Sequence, residues 1–268
     1  MPALRKNMLR ESLRKGEPTI GTHIAITWPG LIEVIGLTGK MDYVEFVSQY
    51  APYDLYALEN MQRAADLHGL STMIKIDAEP KTYLAQKSIG AGFQSVLFAD
   101  LHTVKEVEEA IAAVRAEPKG LNGCFDNRAQ GFGLTVSAKE YIKYYDDIVI
   151  ALMIEKKPLL DRLEDVMNLD GVDMVVFGGC DLSMSMGIPG QFGNPLLEEA
   201  RMKVIKTAVK YDKHPRVELG GSVQEVEKGI AKYKKLGVTD IAIGTDYDIV
   251  FSYLNETGEK AKKSLGKK

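Results

Sequence analysis

Short, almost uninterrupted apolar runs alternate along the chain with longer segments whose apolar positions recur every three or four residues. Runs of the first kind have strand length and the second kind has helical period. The chain therefore reads as strands at 19–26, 42–48, 71–77, 94–99, 147–154, 173–177, 216–219 and 240–243. Helices are expected at 29–37, 54–68, 80–89, from 103, at 139–145, 158–167, 196–211 and 224–236, and from 247 to the end. Proline opens several of them and Gly69 ends the second. An amphipathic helix precedes the first strand. The pattern breaks for longest at 118–136, and a Gly- and Met-rich loop is expected up to Pro195.

Apolar strands without clean alternation imply a parallel sheet buried on both faces under helices. Eight strand-helix units close more naturally as a (β/α)8 TIM barrel than as an open sheet, and 268 residues suit one such domain over 1–268. The first strand-to-helix turn lacks the glycine fingerprint of a dinucleotide site, and no P-loop occurs.

Composition narrows the partners. Apolar residues make up 45% of the chain, enough for a large core, and the net charge of -3 offers no footprint for nucleic acid. No apolar run approaches the roughly 18 residues of a membrane span, so no membrane contact and a cytoplasmic location are expected. Cys124 and Cys180 lie far apart, which favours reduced thiols.

The chemistry starts at Glu155 and Asp181. Each follows an apolar run, at the end of a barrel strand where active sites form. Two carboxylates on neighbouring strands can converge on one hard cation, Mg²⁺ or Mn²⁺, with water and substrate completing its shell. An ion pair of Glu155 with Lys156 and a helix-capping Asp181 explain the same residues without a metal.

The segment VFGGCDLSMSMGIPG at 176–190 resembles the Gly-x-x-Asp-Leu-Ser-x-Ser-x-Gly motif of the HpcH/HpaI aldolases, metal-dependent class II pyruvate aldolases. The stretches at 28–46, 88–103 and 153–173 are similar to other family segments, so the likeness spans roughly 21–246. It implies that Glu155 and Asp181 hold a divalent metal chelated by a 2-oxo acid, and that the amides of Cys180 and Asp181 receive the substrate carboxylate. It also implies a carbon-carbon lyase with an enolate-like intermediate, and a homo-oligomer, commonly a hexamer, with C-terminal helices packed on neighbours.

Several family positions differ here. The Asp-x-Glu-His run after the second strand is Val47-Ser48-Gln49-Tyr50, and the third strand carries Lys75 instead of Arg. Met153 stands where the family has Gln, and Asn122-Gly123 replaces Arg-Gly. Replacement proton carriers are sought at His23, Glu45, Tyr50 and Lys75. Strand alternation points Glu45 and Lys75 inward, where they can pair, as a structural ion pair of the barrel or as catalytic partners. Lys75 is also a candidate Schiff-base nucleophile, and His23 reads equally as a barrel histidine. Arg128, in the long break, reads as a clamp on a second substrate carboxylate from a mobile lid or, equally, as a solvated loop charge. The resulting expectation is an aldolase or decarboxylase of a 2-oxo acid. The alternatives are Schiff-base chemistry at Lys75 and a non-catalytic barrel that binds metal and oxo acid.

Overall fold

The apolar runs form eight parallel strands that close in chain order: β1 Thr19–Ile24, β2 Tyr43–Val47, β3 Ser71–Ile76, β4 Ser95–Phe98, β5 Val149–Ile154, β6 Met174–Phe177, β7 His214–Leu219 and β8 Asp240–Thr245. The structure is a computed structural model that describes residues 4–124, 126–134 and 136–267. Around the barrel lie α2 Pro29–Thr38, α3 Leu55–His68, α4 Lys81–Ala91, α5 Val104–Val114, α6 Ala138–Asp146, the short α7 Lys157–Asp161 and α8 Leu163–Met167, α10 Pro195–Lys210 and α11 Val223–Lys234. Three further helices, α1 Met8–Lys15, α9 Gly179–Ser185 and α12 Asp246–Ser264, sit at the ends of the barrel or beyond it. This is the expected (β/α)8 TIM barrel.

Strand alternation divides the core in two. Phe46, Ile74, Val96, Ile150, Leu152 and Val175 face outward into the helix layer. Tyr43, Met73, Leu97, Ala151, Met153, Met174 and Val176 face the barrel axis. Both faces are buried, which is why the strands read as continuous apolar runs. Glu45 and Lys75 share the inward parity of Tyr43 and Met73, so the charged residues on these strands were built into the barrel.

The N-terminal helix closes the floor. Leu9 and Leu13 of α1 join the axial cluster. Asn7 accepts the Arg10 N–H at 3.2 Å while its amide donates to the carbonyls of Gln94 and Asp147 at 2.7 and 2.8 Å. Arg10 forks onto both oxygens of Asp173 at 2.5 and 2.6 Å. The amphipathic pattern of this segment is that of a plug. At the opposite end, the Asp246 carboxylate accepts the Ala25 and Ile26 N–H groups, both at 2.9 Å, which ties the end of β1 to the start of α12. Gly21 admits the Tyr43 ring, since a Cβ there would lie 2.2 Å from it.

Three elements differ from the sequence reading. The helix expected over 158–167 is two helices, broken where Arg162 leaves helical geometry at φ -108° and ψ 25°. The loop expected after β6 begins with α9, whose N-cap is Gly178 and whose Leu182 is fully buried. Among the described residues of the long break, 3-10 turns over Arg128–Gly133 are interrupted at Gln130, Gly131 and Phe132, which leave helical geometry. Among the described residues no helix is long and apolar enough to cross a membrane.

Candidate active site

The C-terminal ends of β4, β5 and β6 bring one set of ionisable groups together. Glu155, the first residue beyond β5, is 1% exposed. Its Oε1 accepts the Asp100 backbone N–H at 2.7 Å, and its Oε2 has no hydrogen-bond partner among the described residues. An unpaired buried carboxylate oxygen is costly. Burial pushes the Glu155 carboxyl up and the nearby Asp100 and Asp181 carboxylates add to this, against the Asp100 N–H and the Lys75 ammonium. Gly178 makes the position possible, because a Cβ there would sit 2.6 Å from Glu155 Oε2. Asp181 is the third residue of α9, with its side chain 38% exposed toward the mouth.

Asp100 was not singled out from the sequence, yet it links this set. It follows β4 with φ 57°, a left-handed conformation that an aspartate tolerates better than most residues. Its Oδ1 lies 2.5 Å from Lys156 Nζ and its Oδ2 accepts Gln49 Nε2 at 2.7 Å. Burial would raise the Asp100 carboxyl, but Lys156 and Gln49 outweigh it and hold the group below the usual carboxylate range. Lys156 also approaches Asp181 Oδ1 at 3.6 Å. Its ion-pair partners are therefore Asp100 and Asp181 rather than the Glu155 suggested by adjacency. The signal for Asp100 was the one used for Glu155, an acid directly after an apolar strand.

Lys75 and Tyr50 come together on the β2 and β3 side. Lys75 Nζ donates to Tyr50 Oη at 2.8 Å, and Ser48 Oγ donates to the Lys75 carbonyl at 2.6 Å. Tyr50 is 61% exposed, at the mouth, while Lys75 is buried. Burial works against the ammonium, but the Tyr50 hydroxyl and the carboxylates of Glu155 and Glu45 hold Lys75 above its usual range. A Schiff-base nucleophile needs the opposite shift.

The Glu45–Lys75 ion pair does not form. Glu45 is in register with Met73, and Lys75 with Val47, so the lysine lies one layer nearer the mouth. Glu45 instead meets Arg216, a fully buried β7 residue that was not anticipated. Arg216 Nη2 also reaches Glu218 Oε1 at 3.2 Å, and Nη1 lies 3.5 Å from Tyr43 Oη. His23 Nε2 stands 3.7 Å from one oxygen each of Glu45 and Glu218. His23 thus belongs to this deeper set on β1, across the barrel from β5, and not over Glu155. Burial pushes the Tyr43 hydroxyl up to about 12. Burial opposes the Glu45 charge, but Arg216, followed by His23, overcomes it and lowers the carboxyl.

Arg128 is not a lid residue. Its Nη2 lies 2.5 Å from Asp66 Oδ2 and its Nη1 donates to the Ala91 carbonyl at 3.2 Å. Asp66 and Ala91 end α3 and α4, which run antiparallel to the strands, so Arg128 lies at the floor end of the barrel. Cys180, on α9, and Cys124 are exposed free thiols.

The donor set fits a hard divalent cation. Glu155 offers an unpartnered buried oxygen and Asp181 an accessible carboxylate on the next strand-end. The described residues hold no cluster of three or more His, Cys, Asp or Glu placed around one point. Two protein oxygens with open positions suit an ion that retains water and accepts substrate oxygens.

The comparisons agree with this architecture. The HpcH/HpaI aldolase/citrate lyase family model matches residues 49–251. A 5-keto-4-deoxy-D-glucarate aldolase from Shigella boydii is 24% identical over 258 residues, covering 96% of this chain and 97% of its own. An HpcH/HpaI aldolase from Desulfitobacterium hafniense superposes with a TM-score of 0.86 at 19% identity, covering 95% of this chain and 96% of its own. A citrate lyase beta subunit from M. tuberculosis, solved with oxaloacetate and magnesium, superposes at 0.58 with 12% identity, covering 87% of this chain and 93% of its own. The family match takes in Glu155, Asp181, Asp100 and Tyr50, and this chain belongs to the HpcH/HpaI aldolase/citrate lyase family, a lyase by class.

Proposed function

We propose that this protein is a divalent-metal-dependent carbon-carbon lyase that acts on a 2-oxo acid, as an aldolase or a decarboxylase. The observation that carries the reading is Glu155 Oε2, buried and unpartnered beside Asp181 at the C-terminal face of the barrel. A divalent cation held by Glu155 and Asp181, Mg²⁺ or Mn²⁺, would supply Lewis-acid polarisation of the 2-oxo group. The magnesium and oxaloacetate in the M. tuberculosis citrate lyase beta subunit support this choice of ion and ligand class.

The chain's own residues do the rest. Lys75, held as an ammonium, adds positive charge near Glu155, where negative charge accumulates as the carbon-carbon bond breaks. Because Lys75 donates to the Tyr50 oxygen, the Tyr50 hydroxyl proton is free to point into the mouth. In decarboxylation Tyr50 then gives its hydroxyl proton to the carbon that loses carbon dioxide and, being exposed at the mouth, takes one back from solvent. Decarboxylation of a 2-oxo diacid asks least of this set, since no substrate alcohol must be deprotonated. The first-turn amides of Cys180 and Asp181 lack intrahelical acceptors and suit the substrate carboxylate.

The test is a panel of hydroxy-oxo acids and oxaloacetate with Mg²⁺ or Mn²⁺. Turnover above the rate with the ion alone is expected, and none with any member would overturn the reading. We further propose a homo-oligomer seated on α12, where Tyr247, Ile249, Val250, Phe251, Tyr253 and Leu254 are each more than half exposed. Light scattering should give a multiple of the 29.6 kDa chain mass, with a hexamer as the family precedent.

A further inference from the structure

Lys156 is the second cation at this mouth, and its setting differs from that of an ordinary surface lysine. Its side chain is 16% exposed, whereas the next residue, Lys157, is 52% exposed and pairs locally with Asp161. Lys156 is folded inward, with Nζ 2.5 Å from Asp100 Oδ1 and 3.6 Å from Asp181 Oδ1. Its position between two carboxylates leaves the third, Glu155, with an unpaired buried oxygen. The site therefore holds two cations, Lys75 and Lys156, against the three carboxylates of Glu155, Asp100 and Asp181, and still has an unmet demand for positive charge.

We propose that Lys156 is a tethered cation that competes with the divalent ion for Asp181, and that Asp100 is its resting partner. The inference rests on the reading of Glu155 and Asp181 as the metal ligands. An ammonium this close to one ligand oxygen lies well inside a Debye length of any ion bound there, and like charges in a half-buried site repel. Metal binding then requires Lys156 to leave Asp181 and settle on Asp100. Asp100 is held ready for this: Gln49 fixes its Oδ2, and its backbone N–H is engaged by Glu155 Oε1. One residue thus orients a metal ligand with its amide and parks the competing lysine with its carboxylate. The arrangement sets an intermediate metal affinity, so that occupancy follows the concentration of free ion.

The experiment is Mn²⁺ titration of the full-length protein, read as the loss of the free-ion electron paramagnetic resonance signal. Lys156→Gln should tighten Mn²⁺ binding by about tenfold, the equivalent of ~1.4 kcal/mol. Asp100→Asn should weaken it by a similar factor, because the released lysine turns to Asp181. In Lys156→Gln/Asp100→Asn, the loss caused by Asp100→Asn should largely vanish, since the lysine through which it acts is absent. Equal or weaker binding in Lys156→Gln would overturn the proposal, as would an Asp100→Asn loss that persists unchanged in the double variant. Glu155→Gln and Asp181→Asn separate this failure from failure of the metal site. If both bind Mn²⁺ like the unaltered protein, the metal reading falls and Lys156 with it. If both lose binding while Lys156→Gln does not gain, only the Lys156 proposal falls.

Discussion

The barrel contains two charged layers with opposite habits. The deeper one, Glu45, Arg216, His23 and Glu218 on β1, β2 and β7, places an opposite or protonatable group against each charge, although Arg216 Nε and His23 Nε2 make no hydrogen bond among the described residues, and Arg216 and Glu45 are wholly buried. The upper one, on the β2 to β6 side, combines Glu155, Asp100, Asp181, Lys156, Lys75 and Tyr50, and it leaves a buried Glu155 oxygen without a hydrogen-bond partner among the described residues. Both carboxyls are opposed by burial, but Arg216 and His23 lower that of Glu45, whereas burial, with Asp100 and Asp181, leaves that of Glu155 raised. The difference is one of compensation. A matched buried charge stiffens a fold, while an unmatched one facing an open mouth is a ligand or an acid in waiting.

Breaking the deeper layer should hurt the fold most. Arg216→Leu strands the Glu45 charge and should cost about 3–5 kcal/mol of stability, seen in denaturant midpoints. Breaking the upper layer should act on turnover instead. Glu155→Gln keeps an acceptor for the Asp100 N–H but removes the carboxylate, and a rate loss of roughly 10²–10³-fold is expected without loss of thermal stability. Tyr50→Phe should lower turnover by about a hundredfold, the usual scale of a positioned acid, with substrate binding nearly unchanged.

Proton linkage sharpens the contrast with a smaller effect. Glu45 is lowered from 4.5 in the folded state, so its contribution to stability is fully present above that value and is lost as pH falls through its folded pKa. Glu155 is raised and has the opposite sign: folding is favoured by its protonated form, and stability declines as pH rises through its folded pKa. Glu45→Gln should therefore flatten the acid limb of the stability curve, measured by thermal melts below neutral pH. The smallest effect is predicted for Arg128→Ala, which should leave the kinetic constants within about twofold, since its guanidinium serves Asp66 at the floor.

How much of this was legible in the chain depends on the range of the interaction. Glu155 and Asp181 could be read because a strand-end acid is a local feature, and the inward parity of Glu45 and Lys75 follows from a period of two. The partner of Glu45 could not, since Arg216 reaches it across the barrel axis from β7 and no local spacing encodes that meeting. Asp100 is legible by the same strand-end rule. Arg128 looks like a lid residue because loop length alone does not say at which end of the barrel a loop lies. It lies between α5 and α6, the helices that precede β5, and connections on the helix-to-strand side gather at the floor. Lys156 sits beside Glu155 in the chain, but only the fold directs its ammonium to Asp100.

The central claim is that Glu155 serves chemistry and not the fold. The direct measurement is turnover of the responsive 2-oxo acid at one fixed free Mg²⁺ concentration, with the ion-only rate subtracted, for the unaltered protein and Glu155→Gln alongside their melting temperatures. The account predicts that Glu155→Gln loses roughly 10²–10³-fold of that rate while melting at the same temperature or higher. A variant that keeps the full rate, or that loses its rate only because it loses its fold, would contradict it.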